Sequence, residues 1–191
     1  MSARPIVASI KGAHIIGLVK ALRARRKEAE AVMPRELRRY LDERVLASTW
    51  YPETDHVALR RAVAALNPEV PDIWGYFGVV AARASLAGVY KNMVAAGDPA
   101  RTLRNMRHYW SLYHSGGRLE TTVEEDGRAR FEIVDYAAAS AEMCRTLETF
   151  YAEVLRHAGA VDVTFTKLAC QAAGAPRCRW EVSWRAAQKA P

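Results

Sequence analysis

Two cysteines flank a tight turn late in the chain, in Cys170-Gln-Ala-Ala-Gly-Ala-Pro-Arg-Cys178. Paired thiols on a turn could form a redox couple. Their spacing is wider than Cys-x-x-Cys, and no helix N-terminus is placed to lower a thiol pKa, so structural burial is the expected role. A second set is aromatic: Trp74, Tyr76, Phe77, Tyr109, Trp110 and Tyr113. These could line a ligand pocket between central helices and a sheet, although core packing is the ordinary role of each. The five histidines, His14, His56, His108, His114 and His157, have no discriminating context. No spacing points to a Ser-His-acid triad, and there is neither a glycine-rich dinucleotide fingerprint nor a phosphate loop. No catalytic residues and no nucleotide are therefore expected.

The 191 residues suit one domain with a real core that needs no disulfide staples. Three cysteines is an odd, sparse set, which fits reduced thiols in a cytoplasm. No apolar leader or membrane-spanning run is present in the sequence. A net charge of +7 favours acidic partners. The cations gather at Arg23–Lys27 and Arg35–Arg44, interrupted by acids, which reads as solvated helix faces rather than a nucleic-acid site.

These residues must be positioned by the following elements. Ile6–Ile10 reads as a strand, then Ile15, Leu18, Val19 and Leu22 as a helix ending near Lys27. Pro34 opens a helix carrying Leu37, Tyr40, Leu41 and Val45, and Leu46–Pro52 is a break. Asp55 is the expected cap of the next helix. A central helix is expected over Ile73–Ala96, with Tyr90 in its stripe and small residues, including Gly78, that admit a close neighbour. Asp98-Pro99 starts a helix running to Tyr113. A hairpin about Asp126-Gly127, a helix over Ala137–Arg156, a strand from Val161 and a closing hairpin follow. In the last strand Cys178, Trp180, Val182 and Trp184 alternate with Arg179, Glu181, Ser183 and Arg185. The expected fold class is α+β, a helical block packed on an antiparallel sheet of about four to five strands. One domain is expected over residues 1–185, its helical half about 12–115 and its sheet half about 118–185, with residues 186–191 a disordered tail.

Cys170, Gly174, Cys178 and Trp180, with the helix–strand–turn–strand order around them, resemble the 4-vinyl-reductase (V4R) domain. That resemblance implies the broader ligand-binding group that also holds haem-nitric-oxide sensors and Bet3-type TRAPP subunits. Trp50-Tyr51-Pro52 and the glycine-rich helix look like a group of myxobacterial paralogues with the same ending. The resemblance implies a structural zinc site on Cys144, Cys170 and Cys178, with Lys167 standing where an acidic ligand is expected. The haem sensors use a Tyr-x-Ser-x-Arg signature. Tyr113-His114-Ser115-Gly116-Gly117-Arg118 has one residue too many, so no haem is expected. The function implied is a non-enzymatic sensor or adaptor, binding an apolar small molecule or an acidic protein partner and forming a homodimer. The alternative is a small reductase or lyase acting on an aromatic or tetrapyrrole-like substrate.

Overall fold

A computed structural model describes residues 7–88, 92–125 and 127–186. Ile6, Tyr90, Asp126 and most of the expected tail lie outside the described residues. The chain divides into two compact units, one of Met1–Ile73 with Tyr113–Gly116, the other of Trp74–Leu112 with Gly117–Pro191.

In the first unit, β1 (Ser9–Lys11) pairs antiparallel with β2 (Trp50–Pro52), with Ile10 opposite Tyr51. The expected break at Trp50–Pro52 is thus a strand, too short to leave a periodic signal. His114 bridges the other edge of Ile10, and Ser115 N donates to Ser9 O at 2.8 Å. Around them stand α1 (Ile16–Ala24), α2 (Arg26–Val32), α3 (Arg39–Asp42) and α4 (Glu53–Ala65). Ile10, Ile15, Leu22 and Leu59 form the apolar centre, each essentially sealed from solvent. The helix expected from Asp55 begins two residues earlier. Pro52, at φ −55° and ψ 134°, sets the entry, and Asp55 instead accepts from Tyr40 Oη at 2.8 Å and Arg39 Nη2 at 2.7 Å.

The second unit holds α5 (Ile73–Leu86, entered from the first unit), α6 (Pro99–Tyr113) and α7 (Ala141–His157). Its sheet comprises β3 (Arg118–Glu125), β4 (Arg128–Val134), β5 (Ala160–Ala169) and β6 (Arg177–Ala186). The order is β3-β4-β6-β5, antiparallel throughout. The α+β expectation is borne out. The expected central helix ends at Leu86, ten residues early; Gly88 follows it, and glycine weakens helix continuation. Asp98 does cap α6, its Oδ1 accepting from Arg101 N at 2.8 Å. The alternating face of β6 is buried as its pattern requires, with Cys178, Trp180, Val182 and Trp184 all at or below 5% exposure. Phe131 joins Tyr151 and Trp180, with ring centroids 4.5 and 5.5 Å away. Gly78 lets α5 lie against α7: a Cβ there would meet Thr146 O at 2.2 Å and Phe150 N at 2.8 Å. Thr146 and Thr149 hydroxyls donate to Trp74 O and Gly75 O at 3.0 and 2.8 Å, fastening the two helices.

Candidate functional site

The first unit buries a polar cluster. Glu53, His56 and Arg60 are spaced by three and four residues, which puts them on one face of α4. All three are buried. His114 comes alongside because its backbone bridges β1, and its Nδ1 lies 2.5 Å from Glu53 Oε1. Arg60 Nε donates to His56 Nε2 at 2.8 Å, so the His56 ring proton is on Nδ1. Neither that Nδ1 nor Glu53 Oε2 has a hydrogen-bond partner among the described residues. His14 packs edge-on to His56, 6.4 Å between centroids, and to Tyr113 at 4.9 Å. Burial pushes His14 and His114 down to about 3 and His56 well down too, and the Arg60 charge adds to this for all three. Burial also pushes the Glu53 carboxyl up to about 8. The imidazoles are therefore neutral at physiological pH, the form that coordinates metals.

The second unit gathers the three cysteines. Cys144 Sγ, facing inward from α7, lies 3.8 Å from Cys170 Sγ and 3.7 Å from Cys178 Sγ, and all three sulfurs fall within 4.8 Å of one another. Lys167, on β5, donates from Nζ to Cys144 Sγ at 2.9 Å, and the same ammonium lies 3.2 Å from the Trp180 ring centroid. Gln171 N donates to Cys178 Sγ at 3.4 Å. The hydrogen bond from Cys144, helped by this amide and by the Lys167 charge, lowers the Cys178 pKa, while the same bond and burial raise that of Cys144. The chemistry is that of one shared thiolate balanced by a fixed cation. Lys167→Met should raise the pH at which the thiolate ultraviolet band appears, by about one unit, equivalent to ~1.4 kcal/mol. A band unmoved by the substitution would show that the amide and thiol bonds alone hold the charge.

The six expected pocket aromatics are dispersed. Tyr113 belongs to the first unit. In the second, Tyr76 is 57% exposed, Trp74 stacks edge-on with Phe77, Tyr109 packs on Phe150, and Trp110 packs on Tyr136. The cavity that does open there, of about 560 Å³, is lined by Arg104, Arg107, His108, Ser111, Arg118 and Glu120 among others. In the sequence Glu53 and Arg60 carry no signal of their own, and nothing singles out the half-buried His14 and the buried His56 and His114 from the other histidines. The available signal was the spacing of Glu53, His56 and Arg60 on a single helix face.

No family model matches the sequence, and no curated protein matches it. Solved structures do. An H-NOX protein from Shewanella oneidensis in the Fe(II)NO ligation state aligns with TM-score 0.68 and 14% identity, over 92% of this chain and 99% of that one. An oxygen-binding H-NOX domain related to soluble guanylate cyclases aligns with TM-score 0.65 and 10% identity, over 95% and 98%. So does a structure described as modulating heme redox potential through protein-induced porphyrin distortion, with TM-score 0.64, 10% identity, and 95% and 98% covered.

The chain has the H-NOX fold.

This corrects the V4R and TRAPP resemblance, which rested on a cysteine-flanked turn and one tryptophan. Those residues specify a local hairpin, whereas the alignment to H-NOX structures runs through nearly the whole chain. It also corrects the exclusion of haem, since structures of this fold are named for iron, its gas ligands and heme. The stretch 113–118, one residue longer than the Tyr-x-Ser-x-Arg signature, begins in a segment held against β1 by His114 and Ser115 and ends on Arg118 at the start of β3. Among the described residues no helix is long and apolar enough to cross a membrane.

Proposed function

We propose that this chain is a cytoplasmic, non-enzymatic sensor domain of the H-NOX fold that binds haem and responds to a diatomic gas. The observation that supports the reading is the fold likeness, over 92% and 95% of this chain, to proteins whose names record Fe(II)NO and oxygen complexes. The donor set of the first unit is compatible with it. Iron takes a neutral imidazole, and His56 and His114 are neutral and buried and His14 neutral and half-buried, whereas His108 and His157 are exposed. His114 is the leading ligand. Its Nδ1 lies 2.5 Å from Glu53 Oε1, a buried carboxyl group behind the ring of the kind common behind metal ligands. His56 Nδ1–H is a buried donor suited to a polar ligand atom. Bound haem would supply an iron that coordinates the gas; His114 would hold that iron, with Glu53 orienting its ring and the buried surroundings keeping water away.

Titration of the purified protein with haem should saturate at one per chain, and nitric oxide should shift its absorbance. Glu53→Gln should weaken haem affinity about 10- to 100-fold, the usual cost of losing a partner behind a ligating histidine. Elemental analysis of the same sample separates iron from any zinc held by Cys144, Cys170 and Cys178. Folded protein that takes up no stoichiometric haem would overturn the proposal. A homodimer through the helices and an acidic protein partner for the signal belong to the same reading.

A further inference from the structure

Helix α6 carries Arg101, Arg104 and Arg107 at intervals of three, and no acidic residue between Pro99 and Tyr113. All three arginines are exposed. None forms an ion pair among the described residues, in contrast to the sheet and α5, where Arg130 meets Glu124, Arg179 meets Glu132 and Arg83 meets Glu153. Arg104 and Arg107 also border the groove of about 560 Å³ that runs between α6 and the start of β3. Further along it, Arg118 is shared with Asp135 at 3.0 Å and Glu120 at 3.8 Å, so its charge is already largely spent within the fold. What remains unbalanced is a row of three guanidiniums on one rigid helix.

We propose that this face of α6 and its groove form a docking surface for an acidic segment of a partner protein. Six residues of helix rise about 9 Å, which an extended chain covers in about three residues, so acids at alternate positions, about 7 Å apart, come within reach of the flexible guanidiniums at the two ends of the row. Guanidiniums present forked donors that match carboxylates. A nucleic acid fits less well. Tyr109 and Trp110 are at 3% and 2% exposure, which leaves this face without their rings as a stacking platform, and Glu120 in the groove opposes a continuous phosphate backbone. The surface gives a place to the acidic partner of the sensor reading and so rests on that part of it, but it does not involve haem, so peptide binding and haem uptake fail or succeed separately.

The test is fluorescence anisotropy on the full chain, with a labelled peptide of about a dozen residues bearing alternating glutamates as the probe. Binding should weaken with salt. The double variant Arg104→Glu/Arg107→Glu should lose about tenfold or more in affinity at an unchanged melting temperature, because both side chains are exposed. The charge-matched control Arg35→Glu/Arg44→Glu, exposed on the first unit, should bind within about twofold of the parent. Equal losses in the two double variants would reduce the effect to net charge and overturn the proposal. So would absence of binding, or tighter binding of a single-stranded oligonucleotide of equal charge.

Discussion

Gly78→Val is expected to leave the second unit without a stable α5–α7 contact. The first added carbon would lie 2.2 Å from Thr146 O, which is backbone and has no rotamer to change. Relief requires the two helices to part, which also breaks the Thr146 and Thr149 bonds to Trp74 O and Gly75 O. We expect a loss of at least about 3 kcal/mol, seen as a lower urea midpoint and weaker near-ultraviolet dichroism. Gly17→Ala is the counterpart. Nothing lies within 4 Å of a Cβ at that exposed position in α1, so the same type of change should add up to ~1 kcal/mol through helix propensity. If both variants melt with the parent, close packing at Gly78 does not limit stability.

The first unit should be most stable near pH 6.5 and lose stability steeply in acid. Histidines held neutral bind fewer protons folded than unfolded. Their contribution falls as pH drops below the ordinary value of 6.5 and keeps falling to about 3. Glu53, held protonated, works the other way, costing stability as pH rises from 4.5 to about 8. Between 4.5 and 6.5 three histidines outweigh one carboxyl, so the slope is upward; above 6.5 only the carboxyl acts, and it turns down. Each group contributes up to about 1.4 kcal/mol per pH unit over its window. Denaturant midpoints measured from about pH 4 to about pH 9 would check this. Glu53→Gln should flatten the alkaline limb and steepen the acid limb between pH 4.5 and 6.5. An acid limb no steeper than one proton would mean that the imidazoles are charged in the folded protein.

The sheet half was legible because its signals are short-range. The alternation from Cys178 to Trp184 directly specifies a face, and Phe131 and Ile133 behave likewise on β4. Asp98-Pro99 marked a helix start through a side-chain cap, and Gly159 a helix end through its positive φ. The three cysteines were associated only through the family resemblance, and they do meet. The imidazole cluster was not legible, because His14, His56 and His114 come from a turn, a helix and a bridge segment up to 100 residues apart. Only pairing of β1 with both β2 and His114 makes them neighbours. The arginine row on α6 was obscured differently: attention to clustered cations favoured Arg23–Lys27 and Arg35–Arg44, where Arg26 is already balanced by Glu30 and Asp42. What distinguishes α6 is the missing acids, which a count of positive residues does not register.

The strand order has a consequence for assembly in time. β6 is the last strand made, yet it lies between β4 and β5 and supplies hydrogen bonds to both. Until it arrives, the β3–β4 hairpin and β5 each present an unpaired edge, with Phe131, Ile133 and Phe165 lacking their cover. A nascent or truncated chain that stops before Arg177 would carry open edges rather than a smaller sheet. Closure links segments some fifty residues apart, as in Arg128 opposite Ser183, which favours slow, late consolidation of the second unit. A chaperone that shields strand edges would therefore act on this chain after α7 has formed and before β6 is inserted.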